Sequence, residues 1–152
     1  MEDTEATEFL HELENKWQGT ISWKTFATWY CCSDGTLREY GVFLFKINNT
    51  FHFEDFYRES TIFGIPLPKK KNEKKFIKME RSFTIGDVAD VFQISQKSAL
   101  DIAEGRLRIE QAKKIGKFDK IFRKVVTIVK LKDGSAHCFE LLDTKQFKTQ
   151  LQ

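Results

Sequence analysis

Apolar residues change their period repeatedly along this chain, and each change marks an element. Between Glu2 and Lys16 the spacing is helical: Phe9, Leu10, Leu13 and Trp17 share a face, with Thr4 or Thr7 as the cap. Around Gly19 the period shortens to two. Ile21, Trp23, Thr25, Ala27 and Trp29 take alternate positions, while Phe26 and Tyr30 put aromatics on the opposite face of the same strand. Ser33-Asp34-Gly35 reads as a turn. Leu37 to Ile47 forms the next strand, with Tyr40, Val42 and Leu44 alternating and Phe43 and Phe45 between them. Asn48-Asn49 suits a tight hairpin, because Asn tolerates the left-handed region, and Phe51-His52-Phe53-Glu54 begins the returning strand. The first third is therefore expected to be a helix followed by a three-stranded antiparallel meander.

Residues 58–75 break the pattern with Gly64, Pro66, Pro68 and a lysine run. Phe76, Ile77 and Met79 open a strand reaching towards Ile85, Gly86-Asp87 interrupts it, and Val88, Val91, Phe92 and Ile94 continue extended. From Ser95 to Ile115 the spacing turns helical again. Ala99, Leu100, Ile102 and Ala103 give a first helix ended by Gly105; Leu107, Ile109 and Ala112 give a second, from Arg106 to Lys114, ended by Gly116. The tail reads strand, turn, strand, helix: IFRKVVTIVKL, KDGS, AHCFELL, then DTKQFKTQLQ with Phe147 and Leu151 on one face. The fold class expected is mostly β with helices (α+β), an antiparallel partly open barrel or two orthogonal sheets. It has a C-terminal capping helix and a helical insertion near residues 95–115.

Size and charge sharpen this picture. A chain of 152 residues is one domain by its length, here residues 1–152, with 1–17 a helical extension and 19–152 the β-rich body. Fifteen Phe supply much apolar area for a core. Net charge is +3, too small to imply nucleic acid by itself, but it is unevenly spread: residues 1–68 carry 5 Lys+Arg against 11 Asp+Glu, and residues 69–152 carry 20 against 11. Mixing of strands from the two halves is expected to blur that asymmetry. Cys31, Cys32 and Cys138 read as reduced thiols, and either of the first two meets Cys138 only if their strands are neighbours. The start MEDTEATEFL has no signal-peptide pattern, and no apolar run approaches the ~20 residues of a spanning helix. The expected location is cytoplasmic, with peripheral contact at a membrane open to it.

No catalytic constellation is legible. His11, His52 and His137 show no metal-binding spacing, the cysteines do not fit a zinc site, and there is no Gly-rich phosphate loop or nucleophile elbow. Cys138 and His137 are strand neighbours, so they point to opposite faces and make no thiol–imidazole pair. No cofactor is implied. The strongest chemical signal is Lys69, Lys70, Lys71, Lys74 and Lys75, joined by Lys78: clustered ammonium groups that attract phosphates or anionic lipid. A solvated loop guarding a strand edge would carry the same residues. Ser95–Lys114 has the outline of a helix-turn-helix, with Arg106, Arg108, Lys113 and Lys114 facing phosphates, but its place between strands favours a helical excursion packed on the sheet. Trp17, Trp23, Phe26, Trp29, Phe43, Phe45, Phe51 and Phe53 would line an apolar cavity or, more simply, fill the core.

Three meander strands, a long loop, further strands, a helical excursion, two strands and the ending FELLDTKQFKTQL make an order that resembles the pleckstrin-homology superfold and its GRAM-like relatives, over roughly residues 19–152. The resemblance implies seven strands in two near-orthogonal sheets closed by the C-terminal helix. It also implies a non-enzymatic binding or adaptor module contacting a protein partner or an anionic membrane surface. Phosphoinositide binders of that family carry basic residues between the first two strands; here that loop is Ser33-Asp34-Gly35-Thr36, without Lys or Arg. The lysine run follows the third strand instead, beside the family's binding mouth. Two alternatives stand. Trp17-Gln18-Gly19-Thr20 resembles the start of a lipocalin-like barrel, implying an apolar-ligand carrier, and the helical segment implies a nucleic-acid binder.

Overall fold

The structure, a computed structural model, describes residues 2–32, 37–55, 61–62, 65–66, 79–116, 120 and 124–152. Among them the chain forms α1 (Glu2–Trp17), β1 (Ile21–Cys32), β2 (Leu37–Ile47), β3 (Thr50–Asp55), β4 (Thr61–Ile62), β5 (Ile65–Pro66), β6 (Glu80–Thr84), β7 (Val88–Ser95), α2 (Gln96–Ala103), β8 (Val125–Leu131), β9 (Ala136–Leu141) and α3 (Thr144–Thr149). The architecture is mostly antiparallel β with three helices, one of them C-terminal. No described helix is long and apolar enough to cross a membrane.

Seven strands share one sheet in the order β6-β3-β2-β1-β9-β8-β7, and β4 and β5 make a separate small hairpin. The edge strands β6 and β7 are nonetheless joined by only three residues, the 3-10 turn Ile85–Asp87. A flat sheet of seven strands would be about 29 Å wide at ~4.8 Å per spacing, whereas four residues reach at most ~14 Å. The sheet must therefore curl until its edges approach at that end. Two hydrogen bonds record the meeting: Ile85 N donates to Asn49 O at 2.8 Å in the β2–β3 turn, and Lys132 N in the β8–β9 turn donates to Asp87 O at 2.8 Å.

Strand alternation divides the apolar residues between the two faces. The concave face carries Trp23, Ala27, Trp29, Val42, Leu44, Phe51, Phe53, Phe83, Val129 and Phe139, with Phe147 of α3 seated among them. Phe147 is fully buried, 5.4 Å from the Phe51 ring and 5.8 Å from Trp23. The side chain of Asp143 caps α3 by accepting from Gln146 N at 3.0 Å, and Lys46 Nζ donates to Gln150 O at the other end. The convex face is covered by two helices. α1 lays Leu13 on Phe43, Phe45 and Ile47, with Phe9, Leu10 and Trp17 around them. α2 lays Ala99, Ile102 and Ala103 on Tyr30, Ile94, Val126, Ile128, Ala136 and Cys138. The helical extension expected for residues 1–17 is thus part of the packed body.

A sharp turn links α1 to the sheet. Gln18 takes φ 53°, Gly19 N donates to Glu14 O, and Ile21 N is received by the Glu14 carboxylate. A Cβ on Gly19 would stand 2.3 Å from Ile47 Cγ2, so only glycine lets the turn lie this close to β2.

Several sequence expectations change. The helical insertion stops at Ala103: Gly105 at φ +75° ends α2, and the second helix expected from Arg106 to Lys114 is a 3-10 turn, Ile109–Gln111, followed by extended chain. Ile115 N donates to Gln93 O of β7, which holds that segment extended along the sheet edge. The strand expected from Phe76 is described from Glu80, and residues 58–75, expected to be irregular, include the hairpin β4–β5. The Ser33–Thr36 turn lies outside the described residues. The two halves of the chain do not intermix: β1, β2 and β3 are contiguous, as are β9, β8 and β7, and only β6 crosses to the far edge.

Candidate functional site

The lysine run singled out from the sequence, Lys69, Lys70, Lys71, Lys74 and Lys75 with Lys78, lies outside the described residues. The described residues gather chemistry at two other places.

The first is the junction of β7, α2 and β8. Ser95 ends β7 and caps α2, its hydroxyl accepting from Ser98 N at 3.1 Å. Gln96 N donates to Lys124 O, which fixes the start of β8 against the start of α2. Ser95, Gln96, Lys97 and Lys124 thereby line an open hollow of about 470 Å³. A polar chain supports it. Gln96 Nε2 donates to the Tyr30 hydroxyl at 3.2 Å, Tyr30 in turn donates to Glu140 Oε2, and Lys124 Nζ stands 3.9 Å from the same oxygen. Tyr30 is buried, so this chain is a rigid base, while Lys97 and Lys124 are exposed at the rim. Two ammonium groups at the rim suit an anionic group, Lys124 also facing the Glu140 carboxylate.

The surrounding surface carries the same sign. The described residues between 96 and 132 hold nine Lys and Arg against three Asp and Glu, and Arg108, Lys113, Lys114, Lys120 and Lys132 are exposed there. On the other side of the convex face, α1 exposes Glu5, Glu8 and Glu12. Because α1 covers β2 while α2 covers β7 to β9, the exposed carboxylates of α1 and the exposed cations of the described residues around α2 lie on different parts of the convex face. Part of the basic side is internally paired. Arg106 bonds Asp101 at 2.9 Å and Glu104 at 2.5 Å, and Lys114 lies 4.0 Å from Asp90 and over the Phe92 ring. Of the cations expected to meet phosphates in a helix-turn-helix, these two face the protein's own groups, and the helix that would carry them is absent from residues 106–114.

The second place is the concave face. Trp29 is fully buried, its Nε1 has no hydrogen-bond partner among the described residues, and Arg81 stands 5.9 Å above its ring. Asp55 receives Met79 N at 3.0 Å. His137 packs edge-on to Phe53 at 5.1 Å and parallel to Phe83 at 5.9 Å. These polar groups are set in a wall of rings. Cys138 lies in the cluster under α2 while His137 faces the rings, so the two point to opposite sides, as strand alternation requires. Among the described residues no three His, Cys, Asp or Glu side chains converge as metal ligands.

His52 shows how burial tunes a group on the convex side. It stacks on Trp17 at 4.1 Å and on Phe45 at 5.3 Å. Burial, and then the charge of Lys16, hold its pKa below the ordinary 6.5, so the neutral ring is favoured. Lys16 itself is fixed by Glu80 at 2.6 Å.

Gln96, Lys97 and Lys124 were not legible as a site, since 27 positions separate the two lysines and no motif joins them. The one local sign was the capping serine, which places residue 97 in the first turn of a helix. Comparison with protein families, curated proteins and solved structures finds no match for this chain.

Proposed function

We propose that the protein is a non-enzymatic binding module with a partly open, pleckstrin-homology-like barrel, and that its basic flank docks on an anionic membrane surface. The fold part of this reading is supported by the strand order. Four strands run as one meander from β1 to β6, three run from β7 to β9, β1 joins the two sets, and a C-terminal helix seats an aromatic in the concave side. The docking part is carried by one observation, the separation of charge, with the β7–α2–β8 junction basic and α1 acidic. Such a dipole turns the basic side towards phosphates before contact, and the hollow between Lys97 and Lys124 then receives a phosphate as point charges rather than bidentately.

Flotation with vesicles of neutral lipid, or of the same lipid plus phosphatidylserine, tests it. The protein is expected to float only with the anionic vesicles, to be released by salt, and to lose most of the binding in K97E/K124E. Absence of binding at low salt, or binding unchanged by the charge reversal, overturns the reading; capture by an acidic protein surface instead would support a protein partner. The apolar-carrier alternative needs an empty interior. Trp29, Phe51, Phe53, Phe83, Phe139 and Phe147 occupy the concave side with ring centres 5.0–6.5 Å apart where they meet, which favours a filled core.

A further inference from the structure

Between its two helices the convex face carries a strip that neither covers. α1 rests on Phe43, Phe45 and Ile47 of β2, and α2 rests on Tyr30 of β1 and on the strands beyond it. Phe26 and Thr28 share this face of β1 and come up between the two seats, opposite Phe43 and Gly41 of β2. Among the described residues, the large apolar side chains that stand exposed are Phe26, at 53%, and Leu142, at 83%. They adjoin: Ala27 pairs with Leu141, and the next positions beyond that pair are Phe26 and Leu142. Phe26 is also fixed from one side, its ring centre 5.3 Å from Phe43. Gly41 deepens the strip, since a Cβ there would meet nothing within 4 Å. An aromatic held on one side and open on the other, beside an unfilled position, has the form of a binding anchor.

The charge beside the strip selects what fits it. Glu5, Glu8 and Glu12 are exposed and recur three and four residues apart, so they form one stripe along α1. Phe9 is the helical neighbour of Glu5 and Glu12, and its ring packs 5.5 Å from Phe43, which in turn meets Phe26. The stripe therefore runs beside the strip. Glu140, on the other border, is already engaged by the Tyr30 hydroxyl and by Lys124. Lys24 is exposed on the same face but lies further along, opposite Phe45. We infer that the strip receives a basic segment of a partner protein, which seats a large apolar side chain against Phe26 and Leu142 and sets Lys or Arg against Glu5, Glu8 and Glu12. The α1 carboxylates repel an anionic membrane, so this strip and the basic flank take different partners. The inference is independent of the docking reading above.

The isotope-labelled full chain is titrated with three short peptides and followed at the Thr28 and Gly41 amides in nitrogen–proton correlation spectra. One peptide combines Leu with Lys, one Leu with Glu, and one Ala with Lys. The Leu/Lys peptide should shift both amides to saturation. The other two should bind at least about tenfold more weakly there, one for want of attraction to α1 and one for want of an anchor. F26A should weaken the Leu/Lys peptide by about tenfold or more, and G41L, which fills the strip, should do so by a separate route. Both positions are open to solvent, so neither change should alter far-ultraviolet circular dichroism. E5K/E8K/E12K should turn the preference towards the Leu/Glu peptide, while K97E/K124E should not weaken the Leu/Lys one. No shift with the Leu/Lys peptide, equal shifts with either of the others, or an F26A chain that binds like the natural one overturns the inference. So does a dimer of the free chain that F26A dissolves, which would put a second copy in the strip, or vesicle flotation that F26A abolishes, which would put lipid there.

Discussion

Replacing Phe147 by alanine tests whether the C-terminal helix is a structural part of the core or an appendage. The side chain is fully buried and lies against Phe51 and Trp23. Its truncation removes a ring from a packed site that α3 alone supplies, and Phe→Ala changes in cores cost about 3–5 kcal/mol. The backbone of this short helix is held by the Asp143 cap and by Lys46, so partial collapse of the site is resisted and the upper part of the range is expected. For a chain of this length each kcal/mol lowers Tm by roughly 2–4 °C, so about 4–5 kcal/mol puts the expected fall at about 8–20 °C. Differential scanning calorimetry measures it, with urea titration to check that the slope is unchanged. Phe147→Leu should recover about half of the loss, since it restores most of the apolar volume. A fall of less than about 2 °C for Phe147→Ala would refute the seating of α3 in the concave core.

Three further outcomes follow from particular contacts. Gly19→Ala places a methyl 2.3 Å from Ile47 Cγ2 and should destabilise by about 1–3 kcal/mol in urea unfolding, whereas Gly41→Ala, with open space around it, should cost under about 1 kcal/mol. Asp143→Ala removes the cap of α3 and should cost about 0.5–2 kcal/mol, while Asp143→Asn should keep most of it. His52 has a folded pKa below 6.5, so its contribution is present above pH 6.5 and lost as pH falls through that value towards the folded one. Melting scans from pH 8 to pH 5 should therefore decline less steeply for His52→Gln than for the natural chain, and parallel curves would show that His52 is not the group responsible.

Local periodicity made much of the fold legible, because the elements it finds are ones whose neighbours in sequence are also neighbours in space. β1, β2 and β3 pair antiparallel in sequence order, as do β8 and β9, and their alternation sends Val42 and Leu44 to one face and Phe43 and Phe45 to the other. The segment from Arg106 to Lys114 failed for the opposite reason. Leu107, Ile109 and Ala112 do pack against the cluster under α2, but as a 3-10 turn and extended chain, tethered by Ile115 to β7. Apolar spacing alone cannot distinguish that from a helix. The hollow at Ser95, Gln96, Lys97 and Lys124 was hidden because it depends on where β8 starts relative to α2, a tertiary register. The separation of charge was visible as a count but not as a surface, since that required the strand order.

The same strand order has a consequence for how the chain reaches its structure. The β1–β2, β2–β3, β7–β8 and β8–β9 ladders close between segments near in sequence, whereas β1 pairs with β9 across more than a hundred residues, Ala27 with Leu141 for instance. Closing that distance loses chain entropy before the ladder returns any of it. The two meanders are expected to form as fluctuating units first, with docking of β1 on β9 as the rate-limiting event. Conservative substitutions along that ladder, Ala27→Gly for example, should then slow refolding, while those in the β2–β3 hairpin mainly speed unfolding. Stopped-flow chevrons showing the reverse distribution would place the barrier within a meander instead.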